Sequence, residues 1–324
     1  MKPFESFLAP QLNEFVAYRK SLGYAMNRRR AHLIAFDRYL KQTEADWSDL
    51  QPAFFLRMRA NLDKSPKHAN QISIVVRVFF QFLIRRGYVE ENPLLDIPPL
   101  KENTAIPFIF SPEQTDQLLA AVCKRIRRTQ SSFLTDLAIY LAILLLARCG
   151  MRISEPLNLL NHHYRTDDAT LYIEKTKFKK DRLIPIPKAV MTQIDNYLCV
   201  RSRQRPDDQN PYLLARKKNK PLSEYQIRRA FHQAVKDMGL KQQRKEMGTM
   251  TFNPPTPHCL RHSFAINTLI NVIQRGQSAQ AALPVLAAYL GHSSYLCTAV
   301  YLKIADAQSR NNLYDFTLWQ QWKI

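Results

Sequence analysis

Five places along the 324-residue chain carry side chains suited to work on a phosphate ester. Arg152 stands in Ala147-Arg148-Cys149-Gly150-Met151-Arg152-Ile153-Ser154-Glu155, after a glycine that stops an apolar helix and before a new helix with Ser154 as its cap. Backbone fixes it on both sides. A guanidinium held that way suits two-point contact with a phosphate; an ion pair with Glu155 is the structural alternative. Lys177 lies in the basic turn Thr176-Lys177-Phe178-Lys179-Lys180-Asp181-Arg182, and an ammonium at a hairpin tip can give its proton to a leaving alkoxide. His258 and Arg261 are three apart in Pro257-His258-Cys259-Leu260-Arg261-His262 and project to one side of a helical turn. His292 follows Gly291, and Tyr301 comes nine residues later in Thr298-Ala299-Val300-Tyr301. Read singly, His292 is structural and Tyr301 is one of fourteen tyrosines with a core position as its default. Only the order of the set singles it out. His258 and His262 also have the i, i+4 spacing of a zinc pair, but no glutamate follows His258 and no third ligand is evident, so no metal is expected.

The elements that must position these residues are mostly helices. Before residue 90 the apolar spacing predicts helices over Glu5–Leu22, Arg28–Gln42, Gln51–Asn61 and Pro66–Arg86. The last carries the stripe Ile72, Val75, Val76, Phe79, Phe80, Phe82 and Leu83. Arg28, Arg29, Arg30, Lys64, Lys67, Arg77, Arg85 and Arg86 on the other faces are phosphate clamps or a solvated charged surface. Five prolines between Asn92 and Pro112 mark a linker, so the chain divides into residues 1–96, a linker at 97–110 and a second domain at 111–324. The second domain opens on a capping box, Ser111-Pro112-Glu113-Gln114. Its period turns strand-like at Leu171–Ile173 and Leu183–Ile186, which predicts a small hairpin or three-stranded sheet. Helical patterns return over Ser223–Met238, His262–Ile273 and Leu283–Leu290. The expected fold is mainly α with a small antiparallel β-sheet in the C-terminal domain.

Composition narrows the function. Lys plus Arg number 47 against 27 Asp plus Glu, a formal charge of +20, which favours a polyanion and nucleic acid first. The longest apolar run, Leu137–Ala147, falls short of the roughly 20 residues a bilayer needs. Met1–Pro10 lacks the apolar stretch of a signal peptide, so a cytoplasmic, nucleoid-associated protein is expected. Five scattered cysteines with no Cys-x-x-Cys pair read as reduced, mostly buried thiols. Of the seven glycines, Gly23, Gly87, Gly150, Gly239 and Gly291 close helical runs, and no nucleotide-binding loop occurs, so ATP is not implied.

The ordered set Arg152, Lys177, His258-x-x-Arg261, Gly291-His292 and Tyr301 resembles the tyrosine recombinase and phage integrase family. The resemblance extends over nearly the whole chain, since Arg86-Gly87-Tyr88-Val89 and Glu91-Asn92-Pro93 resemble the end of that family's core-binding domain. It implies a two-domain DNA clamp, with a helical, SAM-like core-binding domain at 1–96 and an α+β catalytic domain at 111–324. It also implies a site-specific recombinase that cuts and rejoins DNA through a 3′-phosphotyrosine. Tyr301 would be the nucleophile and His258 its general base, Arg152 and Arg261 would hold the non-bridging oxygens, and His292 would add a hydrogen bond. Lys177 would protonate the 5′ leaving oxygen, and Glu155 would position Arg152 or the histidine. The implied partners are double-stranded DNA and other protomers, as a homotetramer or with a related recombinase; no cofactor, metal or membrane is implied.

Two departures from the family pattern stand out. Thr176 replaces the usual glycine before the hairpin lysine, which leaves Lys175 and Lys179 as alternatives, although alignment on Lys180–Pro185 favours Lys177. The segment Asn271–Val285 is longer than usual and reads as a surface loop or a partner contact. The apolar tail Leu313, Phe316, Trp319 and Trp322 reads as docking on a neighbouring protomer or on its own domain. A mobile-element integrase is the expected role, with chromosome or plasmid dimer resolution of the Xer type as the alternative. A type IB topoisomerase, or a non-catalytic DNA-binding protein on the same scaffold, would be separated by assays of supercoil relaxation and of covalent adduct formation.

Overall fold

The computed structural model describes residues 2–174, 181–216, 220–240, 242–292, 298, 299, 301 and 302. Lys175, Lys177 and Lys179, Cys297 and the tail from Leu313 to Ile324 lie outside the described residues. The chain divides into two compact units, Met1–Thr104 and Ala105–Ile324.

The first unit holds α1 (Ala9–Ser21), α2 (Asn27–Gln42), α3 (Pro52–Asn61) and α4 (Pro66–Arg85). The expected stripe of α4 is buried from Ile72 to Leu83. It meets a core of edge-packed rings in which Phe55 and Phe80 lie 5.3 Å apart and Phe15 and Phe79 5.5 Å apart. Such aromatic contacts add to the burial itself. Three of the proposed phosphate clamps are used otherwise. Arg77 donates to the carbonyls of Leu94 and Ile97 at 3.1 and 2.9 Å, Arg86 pairs with Glu14, and Arg30 lies over the Phe4 ring. For Arg77 the reason is the proline-rich segment, which forms no ladder and takes side-chain donors for part of its carbonyls. Asn70 does the same for Leu100, at 2.9 Å.

Strand β1 (Thr104–Ile106) starts at the last residue of the first unit, and α5 (Pro112–Lys124), whose Ser111–Gln114 capping box is formed, is the first helix of the second. Helix α6 (Phe133–Arg148) is apolar nearly all round and runs through the core, as such a helix must in water. A five-residue α7 (Ser154–Asn158) follows. Ser154 is its first residue and not its cap, since Ile153 holds the cap position with no side-chain bond.

Strands β2 (Tyr164–Arg165), β3 (Thr170–Ile173) and β4 (Arg182–Pro185) form an antiparallel sheet in that order, and the buried Leu171 and Ile184 face each other in register. Then come α8 (Lys188–Gln204), β5 (Ala215–Arg216), β6 (Lys220–Pro221), α9 (Glu224–Asp237), β7 (Lys245–Met247), β8 (Met250–Phe252), α10 (Pro257–Gln274) and α11 (Ala279–Leu290). The sheets β5-β6 and β1-β8-β7 were not expected from sequence. Strands of two or three residues are too short to show a period of two.

Helix α10 starts at Pro257, five residues before the apolar pattern suggests, because a proline at the first position after the extended Thr256 begins a helix without needing apolar periodicity. The segment Asn271–Val285 is not a loop. It is the end of α10, a short turn and the first turns of α11, where the Ser278 hydroxyl accepts from the Ala281 amide and Ala279 and Leu283 are buried. Cys149 and Cys259 are buried free thiols, but Cys123 and Cys199 are exposed, against the expectation of mostly buried thiols. No helix among the described residues is long and apolar enough to cross a membrane.

Candidate active site

Helix α11 stops at Leu290, and Gly291 follows in the left-handed conformation, φ 66°. A helix end leaves carbonyls without intrahelical partners and carries partial negative charge. Three arginines from three different elements supply the missing donors. Arg182 on β4 donates from Nε to the Tyr289 carbonyl at 2.8 Å, Arg261 on α10 donates to the Leu290 carbonyl, and Arg152, in the turn before α7, donates to the Gly291 carbonyl at 2.9 Å.

Glu155 binds this cluster together. Its Oε1 accepts from Arg152 Nη1 and Arg182 Nη1 at 2.9 and 3.1 Å, and its Oε2 accepts from the Arg152 amide and Arg182 Nη2 at 2.8 and 3.0 Å. Burial alone would raise the Glu155 pKa. The hydrogen bonds and charge of Arg182, the Arg152 amide and the charge of Arg261 outweigh that and hold it below the ordinary carboxylate range. The ion pair with Glu155 expected as the structural alternative is formed, and that pairing fixes the Arg152 guanidinium.

Arg261 is 1% exposed and also donates to the Gly150 carbonyl at 2.8 Å. Burial, then the neighbouring charge of Arg152, lowers its pKa to about 10, which leaves it charged at neutral pH. Gly150 must adopt φ 57° to present that carbonyl, and a Cβ there would stand 2.5 Å from the Phe264 ring on α10. Among the described residues, three guanidiniums against one carboxylate leave an excess of two positive charges in the cluster. An anion with several oxygens fits that balance.

Histidines and a tyrosine border the cluster. His292 Nδ1 lies 2.8 Å from the Thr298 hydroxyl, and Tyr301, 6% exposed, packs with Ile109, Leu269 and Leu290. The Tyr301 hydroxyl is 2.8 Å from His262 Nδ1. The His258 ring stands edge-on to His262, centroids 4.5 Å apart, and the His292 ring is 6.3 Å from that of Tyr301. Burial, followed by the charge of Arg261 and its neighbours, pushes the His292 pKa down to about 4. Burial, then His258 and Arg261, pushes that of His262 to about 3. His258 opens to solvent at the rim, yet partial loss of hydration and then Arg261 and Arg152 keep it below the ordinary histidine range. The His262 and His292 rings are neutral at physiological pH. When the Thr298 hydroxyl donates to Nδ1 of His292, its Nε2 keeps a proton to offer an incoming oxygen.

The structure thus gathers Arg152, Glu155, Arg261 and His292 around the end of α11, and joins His258 to Tyr301 through His262. Lys177 lies outside the described residues. Two members were not anticipated. Arg182 shares the inward face of β4 with Ile184, an alternation that marks it as turned towards the core. His262 drew notice only as half of a metal pair; among the described residues no group of three or more His, Cys, Asp or Glu side chains is placed to hold a metal.

Comparison with known proteins places residues 109–308 in a match to the phage integrase family. A putative integrase/recombinase of Sinorhizobium fredii, y4rE, is 30% identical over 308 residues, covering 93% of each chain. The tyrosine recombinase XerA of Pyrococcus furiosus is 28% identical over 94% of each. Among solved structures, a lambda integrase dimer bound to a COC′ core site aligns with a TM-score of 0.65 at 17% identity, covering 91% of this chain and 76% of that one. XerH bound to a palindromic difH substrate aligns at 0.66 and 16%, covering 87% and 77%.

Proposed function

The chain belongs to the phage integrase family, whose members are DNA strand-exchange enzymes that use a tyrosine nucleophile, and on that premise we propose that Tyr301 is the residue that becomes joined to DNA. One observation carries this reading: the two unbalanced positive charges at the end of α11 stand beside a tyrosine hydroxyl that already has a hydrogen-bonded histidine. In the proposed reaction a backbone phosphate brings negative charge to this positive cluster. Arg152 and Arg261 stabilise charge on its non-bridging oxygens as the Tyr301 oxygen attacks, and His292 donates one more hydrogen bond. Lys177 protonates the departing 5′ oxygen, and a histidine of α10 takes the phenolic proton, which is needed because free tyrosine has a pKa of about 10. Glu155 and Arg182 hold the arginines in place. The phosphotyrosyl bond replaces a phosphodiester, so a 5′-hydroxyl can reverse the step with no external energy source.

A nicked suicide duplex tests the assignment. Wild type should form a covalent protein–DNA adduct, and Tyr301→Phe should bind the same DNA with no adduct; an adduct in the variant would remove Tyr301 from the role.

The partner is double-stranded DNA, bound by a core-binding domain at 1–96 and a catalytic domain at 111–324, and the working assembly is a tetramer on paired sites. Support comes from neighbours whose structures hold DNA, among them a lambda integrase tetramer on a Holliday junction. The role is movement of a mobile element, in keeping with the Sinorhizobium relatives described as putative integrase/recombinase. Dimer resolution is the second reading, favoured by the XerA relative, which aligns over as much of the chain. Recombination of paired plasmid sites, as against sites flanking an element, separates the two.

A further inference from the structure

His262 meets the Tyr301 hydroxyl, and we infer that His262 is the first acceptor of the Tyr301 proton during strand cleavage, ahead of His258. The inference rests on Tyr301 being the nucleophile. A general base must lie within hydrogen-bond reach of the proton it removes, about 2.6–3.2 Å between heavy atoms, and His262 Nδ1 is 2.8 Å from the phenolic oxygen. The ring is held in place. It follows Arg261, whose guanidinium is pinned between the Gly150 and Leu290 carbonyls, and it touches His258 edge-on at 4.5 Å and Tyr301 at 5.5 Å.

The groups facing His262 are His258 and Arg261 from its own helix and His292 and Tyr301 from the chain beyond α11. Their field, on top of burial, keeps the imidazole unprotonated and able to accept. The same field and burial make it a weak base. A phosphodiester seated on Arg152 and Arg261 brings a negative charge that opposes the arginine field, so the basicity of His262 rises when the substrate arrives. In the step itself the Tyr301 O–H bond breaks and an N–H bond forms at Nδ1. The tyrosine oxygen bonds to phosphorus, the P–O5′ bond breaks, and the 5′ oxygen keeps the electron pair and is protonated by the general acid. On rejoining, Nδ1 returns the proton to tyrosine. His258, in contact with His262 and open to solvent, is suited to exchanging protons with water.

Single-turnover adduct formation by the full-length protein on a nicked suicide duplex, followed from pH 6 to pH 9, tests this. His262→Phe keeps a packed ring, and His262→Asn keeps a hydrogen-bond acceptor near the Nδ1 position without a base. Both should bind DNA within about threefold of wild type. Both should cleave about 10²–10⁴-fold more slowly at pH 7, with rates rising about tenfold per pH unit as hydroxide replaces the lost base, whereas wild type varies little. Cleavage by His262→Asn at the wild-type rate, or a loss that stays constant with pH in both variants, would overturn the base assignment in favour of orientation alone. Adduct formation by Tyr301→Phe would instead sink the nucleophile reading, so the two failures are distinct.

Discussion

At the scale of single residues, Glu155 is the most exacting part of the site. Four donors from two arginines converge on a carboxylate that is 6% exposed. Removing one partner of a buried ion pair costs about 3–5 kcal/mol because the other charge stays buried without compensation. Glu155→Gln, which keeps the shape, should lower the unfolding free energy by about that much in urea titrations. Because the folded-state pKa of Glu155 lies below the ordinary value of 4.5, its stabilisation is present above that value and is lost as pH falls through the folded value. The variant should therefore show a flatter acid limb than wild type; an unchanged limb would mean that the carboxylate contributes no net pairing. The Arg152–Glu155 pair could be read from sequence because its members are three residues apart. Arg182 lies 27 residues from Glu155 and His262 lies 39 from Tyr301, so those contacts are created by folding and leave no local signal.

At the scale of elements, the glycines that end helices do unequal work. Gly87 and Gly150 both have positive φ, 74° and 57°, but a Cβ at Gly87 meets nothing within 4 Å while one at Gly150 strikes the Phe264 ring. Gly87→Ala should cost only the left-handed penalty of roughly 1–2 kcal/mol. Gly150→Ala should cost about 1–3 kcal/mol more through overpacking, and should also slow cleavage, since relief of the clash displaces the helix that carries His258, Arg261 and His262. Calorimetry of the two variants checks this, and equal falls in Tm would show that α10 yields freely at Phe264. Long elements were legible for physical reasons: the stripe of α4 and the capping box of α5 are local patterns that the folded structure keeps. The start of α10 and the hairpin β7-β8 were not, because a proline-initiated turn rich in polar site residues and three-residue strands lack the periodicity that marks buried faces.

At the scale of the whole molecule, a formal charge of +20 makes binding to DNA depend on salt, since each phosphate neutralised releases condensed counterions. The net charge does not say which cations do this. In the first unit Arg28 is exposed, whereas Arg77 is bonded to the Leu94 and Ile97 carbonyls, holding the proline-rich segment against α4. These two arginines should separate in one experiment, the slope of log affinity against log salt concentration. Arg28→Ala should reduce the slope by about 0.9, the value for one phosphate contact on duplex DNA, with Tm unchanged. Arg77→Ala should leave the slope as it is and lower Tm, because its loss removes the guanidinium donor from the Ile97 carbonyl and leaves the Leu94 carbonyl only the Ile97 amide, at 3.3 Å. A fall in slope for Arg77→Ala equal to that for Arg28→Ala would show that Arg77 abandons the segment for the phosphate backbone when DNA binds, and that residues 94–97 rearrange in the complex.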